Sequence, residues 1–131
     1  MFSERKTVAF PGFIYKNSSY FWLHDGSIFM GITSNIHRMN TFKETLGLPV
    51  PDKNLSPVLK SLWYDAKGDW KQAHDLVDSL AGEEVAWVHA YLHRKEGDSW
   101  NADYWYAKAK KVRPSHTLEE EWEELVNHFI K

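Results

Sequence analysis

From residue 55 onward, apolar and polar positions alternate with the 3.6-residue period of amphipathic helices, punctuated by strong start and stop signals. The pattern predicts helices at about 57–67, 70–80, 83–96 and 99–111, and a fifth beginning after Thr117. Ser56-Pro57 reads as an N-cap followed by proline in the first turn, where its missing N–H costs nothing. Asp69 with Gln72, and Thr117 with Glu120, have the three-residue spacing of a capping box. Gly68-Asp69 and Gly97-Asp98 each combine a residue that ends one helix with a residue that caps the next. In the last helix, Leu118, Trp122, Leu125 and Phe129 form an apolar stripe.

The first 54 residues follow a different pattern. Tyr20-Phe21-Trp22-Leu23-His24 and Ser27-Ile28-Phe29-Met30 flank Asp25-Gly26, a dipeptide suited to a two-residue turn, and predict a β-hairpin. Ile36, Met39 and Leu46 recur at helical spacing, with Ser34 or Asn35 as N-cap and Gly47 as C-cap, and predict a helix near 35–46. Pro49-Val50-Pro51 cannot continue it and reads as a short connector.

The second half also repeats. Gly68-Asp69-Trp70-Lys71-Gln72-Ala73 aligns with Gly97-Asp98-Ser99-Trp100-Asn101-Ala102, the first glycine at 68 and the second at 97. Small residues at Ser61 and Ala90, Ala73 and Ala102 in each second helix, and Pro114 after the second pair resemble tetratricopeptide or Sel1-like repeats over residues 55–114. The second copy matches best, through Ala90, Gly97, Asp98, Ala102, Tyr106, Ala109 and Pro114. The words at 62–70, 87–98 and 104–106 are further similar to a group of small bacterial proteins without an assigned activity.

The resemblance implies a mainly α fold with two tetratricopeptide-like antiparallel helix hairpins plus a C-terminal helix, and the N-terminal β-hairpin and helix packed on them. Residues 1–54 then form the N-terminal part and 55–131 the repeat region, in one compact domain. The repeat is shorter than the usual length of roughly 34 residues, and two units are fewer than a solenoid needs, so the flanking elements are expected to act as caps.

Charge and composition narrow the function. The chain of 131 residues carries 16 basic and 18 acidic side chains, a formal charge of −2, which provides no basic field for nucleic acid. Residues 1–54 carry +2 and the remainder −4. The absence of cysteine excludes disulfides, thiolate catalysis and zinc–thiolate sites. No apolar run reaches the roughly 20 residues of a membrane span, no leader is visible, and a cytoplasmic location is expected. No glycine-rich phosphate loop, nucleophile elbow or calcium loop is present, and no cofactor is expected.

Two functional readings follow. In the first, the chain is a protein- or peptide-binding or scaffolding module. In tetratricopeptide-like proteins the inner side of the first helix lines a peptide groove, which implies a contact face built from Trp87, Tyr91 and Arg94, residue types common at binding hot spots. The partner is unidentified, and self-association is open through the acidic run 119–124 and the basic run Lys108, Lys110, Lys111 and Arg113.

In the second reading, the chain is a small enzyme or a metal-binding protein. His89 and His93 lie four residues apart on one helix face, Glu96 follows three further on, and His74 comes from the neighbouring helix. These residues are the catalytic candidates, and His89, His93 and Glu96 are the metal candidates, since imidazole and carboxylate suit zinc or iron. Ala90 stands where a His-Glu-x-x-His protease carries its glutamate, so that mechanism is excluded. Asp65 and Glu96 fall in last turns, where the helix dipole disfavours them. Solvated surface charge is the expectation for both, with Arg94, Lys95 and His93 as available partners.

Overall fold

In the computed structural model, residues 27–131 are described, with their side chains from residue 34 onward. The described chain is mainly helical: α1 (Ser27–Glu44), a 3-10 turn (Thr45–Gly47), α2 (Pro57–Ala66), α3 (Trp70–Asp78), α4 (Glu83–Glu96), α5 (Ser99–Lys108) and α6 (Leu118–Phe129). No strand occurs among the described residues. The turn and first strand of the expected β-hairpin lie outside them, and Ser27–Met30 begins α1.

Chain contacts form two compact units, Met1–Lys43 and Glu44–Lys131. The division falls before the proline connector, and local hydrogen bonds explain why. Trp63 Nε1 donates to the Thr45 carbonyl and to its hydroxyl, at 3.3 and 3.1 Å. Lys67 Nζ donates to the carbonyls of Leu46 and Leu48, at 2.6 and 3.2 Å. Residues 45–48 are thereby held to α2. In the first unit, Met39 and Phe42 on α1 are buried, whereas Ile36 is exposed.

In the second unit the punctuation read from the sequence is what ends and starts the helices. The side chains of Ser56, Asp69, Asp98 and Thr117 accept from the backbone N–H of Leu59, Gln72, Asn101 and Glu120 respectively. Each bond satisfies one of the donors that a helix start leaves open. Gly97 adopts φ +94°, a left-handed conformation that reverses the chain between α4 and α5 and that a side chain would strain. Gly68 does the same between α2 and α3. The helix α5 ends three residues before the expected position 111, because Lys110 takes a left-handed φ of 59° and the Lys111 N–H turns back to the Tyr106 carbonyl.

α2 packs on α3 and α4 on α5, giving two helical hairpins, with α3 against α4 and α6 lying on α2 and α4. The small residues expected at the hairpin contacts are fully buried: Ser61, Ala73, Ala90 and Ala102. Ser61 is more than a spacer, since its hydroxyl donates to the Ala73 carbonyl at 2.7 Å. The core combines these with Leu62, Trp63, Val77, Val88, Leu92, Leu125 and Val126. Indole N–H groups tie distant elements together: Trp70 to the Leu92 carbonyl, Trp122 to the Leu62 carbonyl, and Trp87 to Glu121.

Candidate metal centre

His74 on α3 and His89 and His93 on α4 converge, with one ring nitrogen of each lying within 4.8 Å of the others. Helical spacing puts His89 and His93 on one face of α4, their rings 15° from parallel at 6.5 Å. The packing of α3 on α4 brings the His74 ring edge-on to both, at 5.1 Å from His89 and 5.3 Å from His93. His89 and His93 are buried and His74 is half-buried.

Two outer contacts fix which nitrogen each α4 histidine offers. His89 Nε2 lies 3.1 Å from the Val77 carbonyl oxygen, which can only accept, so Nε2 carries the proton and Nδ1 presents a lone pair. That Nδ1 is buried and has no hydrogen-bond partner. His93 Nδ1 lies 2.9 Å from Glu96 Oε2. An ionised carboxylate also only accepts, so Nδ1 donates to it, and in the neutral ring that binds a metal Nε2 is the nitrogen left as the electron-pair donor. A ligand imidazole whose far N–H is held by a carbonyl or carboxylate is the usual second layer of a metal site.

Indoles wall the cluster. Trp70 stacks on His74 at 4.9 Å and meets His93 edge-on at 5.8 Å, and Trp105 stacks on His89 at 4.2 Å. The Trp70 N–H to the Leu92 carbonyl, 2.8 Å, locks this wall across the α3–α4 seam.

Burial holds the pKa of His89 below its ordinary value of 6.5, opposed by the bond to Val77 and assisted by the neighbouring His74 and His93. His89 is therefore the neutral form that a metal requires. The unfolded chain takes up this proton near pH 6.5 and the folded chain only at lower pH, so the unfolded state binds more protons in that window. Stability is then lost as pH falls through 6.5 toward the lowered value, by at most about 1.4 kcal/mol per pH unit. Urea unfolding of the metal-free protein across this range is expected to show the slope, and His89→Gln to flatten it. A slope unchanged in the variant would assign the acid sensitivity to another group.

Glu96, a metal candidate from spacing, does not join the three imidazoles and instead orients His93 from behind. A second group, His93, Glu96 and Asp98, also has its ligand atoms within 4.8 Å. Its carboxylates are already engaged, Glu96 with His93 and Asp98 with the N–H and side-chain amide of Asn101.

Trp87, Tyr91 and Arg94 do not form an open face. Trp87 is 6% and Tyr91 2% exposed. Their polar atoms turn inward: Trp87 Nε1 donates to Glu121 Oε2 at 3.1 Å, Tyr91 Oη to Asp65 Oδ2 at 2.8 Å, and Arg94 Nη1 to Glu121 Oε1 at 2.6 Å. Arg94 also reaches the His116 carbonyl. The helix α6 covers the side of α4 that the repeat resemblance left for a peptide.

Asp65, expected as a surface charge, is 2% exposed and pairs with Lys95 Nζ at 3.0 Å as well as with Tyr91. Glu121, within the acidic run open to self-association, is fully buried and also accepts from the Tyr106 hydroxyl. Burial and these carboxylates raise the pKa of both Tyr91 and Tyr106 far above the usual tyrosine range. In the basic run, Lys110 pairs with Glu83 and Arg113 with Asp103, while Lys108 lies over the rings of Tyr104 and Trp105 and Lys111 over that of Trp87.

No helix among the described residues is long and apolar enough to cross a membrane. No family model, curated protein or solved structure matches the chain.

Proposed function

We propose that this helical domain binds a transition-metal ion through His74, His89 and His93. The observation that carries the reading is the buried, unpartnered Nδ1 of His89, on a ring with one nitrogen within 4.8 Å of a nitrogen of each of two further imidazoles. A buried polar atom without a partner costs about 1–3 kcal/mol, and a metal ion held by the three rings would recover that cost at His89. The donor set is all imidazole, which suits zinc, copper, nickel or iron and not magnesium or calcium. Val77 and Glu96 supply the outer acceptors that set the tautomers. The protein-binding reading has weaker support, since its three contact residues are occupied within the chain.

The reading is tested by titrating metal-free protein with zinc, nickel and copper salts while following tryptophan fluorescence and the thermal midpoint. One ion is expected per chain, with stabilisation of about 2.7 kcal/mol when free ion exceeds Kd a hundredfold. Quenching by copper or nickel is expected from Trp70 and Trp105, which stack on the ligands. His74→Ala alters a half-buried side chain and should leave the fold intact by circular dichroism while removing the effect. Absence of binding in the wild-type protein, or equal binding by His74→Ala, overturns the reading.

A further inference from the structure

We propose that the ion this site selects is monovalent, cuprous copper, in preference to a divalent ion of the same affinity class. The inference rests on the three-imidazole reading above and concerns which ion those groups accept.

Ligand count is the first argument. Among the described residues no carboxylate joins the three ring nitrogens, and the chain has no cysteine. Zinc in proteins is almost always four-coordinate, so this site would leave it one ligand short unless water entered. A filled-shell monovalent copper ion is satisfied by two or three nitrogen donors. His89 is 1% and His93 9% exposed and two indoles lie flat against the ligand rings, so water has access only on the side of the half-buried His74.

Charge is the second argument. Neutral imidazoles leave the whole charge of the ion on the site, and the cost of placing an ion in a medium of low polarity grows as the square of its charge, about four times more for a divalent than for a monovalent ion. The anion coupled to the cluster through a ligand ring is Glu96, whose carboxylate holds His93 Nδ1 at 2.9 Å. Asp98, which also caps α5 and bonds Asn101, lies beside His93, and the exposed Asp78 at the end of α3 acts on His89. Any ion between Trp70 and Trp105 is offset only from outside the trio, by Glu96 and Asp98 beside His93 and by Asp78 acting on His89, so the remaining cost of burial is larger for a divalent ion. Those indole faces favour a nearby cation but do not replace a counter-charge.

Competition experiments decide the matter. Metal-free protein is mixed under anaerobic, reducing conditions with the cuprous complex of bicinchoninate, and separately with zinc and a chromophoric zinc chelator. Silver(I) serves as a monovalent probe that needs no reductant. Cuprous copper is expected to bind at one per chain and about 100-fold or more tighter than zinc, with silver(I) also retained, and X-ray absorption should show about three nitrogen scatterers. His74→Ala and His93→Ala are each expected to lose this preference while keeping the helical circular dichroism signal. Zinc binding as tight as or tighter than cuprous copper overturns the monovalent assignment and leaves the three-imidazole site standing. Failure of the wild-type protein to hold any of the three ions overturns both.

Discussion

Replacing Glu121 with alanine is expected to bring the protein close to unfolding at room temperature. The Glu121 carboxylate is fully buried and accepts from Trp87, Arg94 and Tyr106, which belong to two other helices. Burial alone would disfavour the Arg94 charge, but the hydrogen bond and charge of Glu121 more than offset it and raise its pKa. Deleting the carboxylate leaves Arg94 Nη1, an indole N–H and a phenol without an acceptor, and the guanidinium without a counter-charge, although it keeps the His116 carbonyl. Breaking a buried pair in this way costs about 3–5 kcal/mol. Against a total stability of about 5–15 kcal/mol for a domain, that is a large fraction. Urea denaturation measures it, and the double variant with Arg94→Ala tests the cause. If the pair is what matters, the double variant should lose much less than the sum of the single changes. Additive losses would place the cost in packing around α6 instead.

Trp63→Ala is expected to cost a comparable amount, about 3–5 kcal/mol, for a different reason. Trp63 is 1% exposed, and its removal would leave a large cavity in α2. Its N–H also anchors Thr45, so the chain at 45–48 should loosen as well. Trp63→Phe separates the two roles. It keeps most of the apolar volume and removes the N–H, and is expected to cost about 1–2 kcal/mol, with backbone amides near Thr45 exchanging faster. A phenylalanine variant as unstable as the alanine one would shift the weight from packing to the hydrogen bond.

The residues that announced helix boundaries were legible because their effect is local. A capping side chain acts on an N–H three positions away, and a glycine acts on its own φ, so Ser56, Asp69, Asp98, Thr117 and Gly97 carry the same meaning in the sequence and in the fold. The pairing of His89 with His93 was legible for the same reason. Which residues of α3 face them depends on how α3 slides along α4, and no local rule sets that register. Spacing therefore proposed Glu96 as a ligand, while packing made it the support for His93.

Glu121 illustrates a signal that was present and outweighed. It lies three residues after Leu118 and four before Leu125, squarely on the apolar stripe of α6, yet with its neighbours Glu119, Glu120, Glu123 and Glu124 it reads as one acidic run open to a second molecule. An acidic residue on the buried stripe is a demand for a buried partner, and Arg94 and Tyr106 answer it. Trp87 and Tyr91 were misleading in the opposite direction. Exposed aromatic residues and core aromatic residues have the same spacing, and only the arrival of α6 distinguishes them.

The position of α6 in the chain also sets a schedule. Its 12 residues supply the acceptor for Arg94, Trp87 and Tyr106, and its Trp122 closes onto Leu62, a contact spanning 60 positions. The two helical hairpins close by short turns and can form while synthesis is under way, but Arg94 has no counter-charge until α6 brings Glu121. Without α6 the Arg94 guanidinium faces solvent unpaired, and α6 brings to it a fully buried carboxylate that also takes Trp87 and Tyr106.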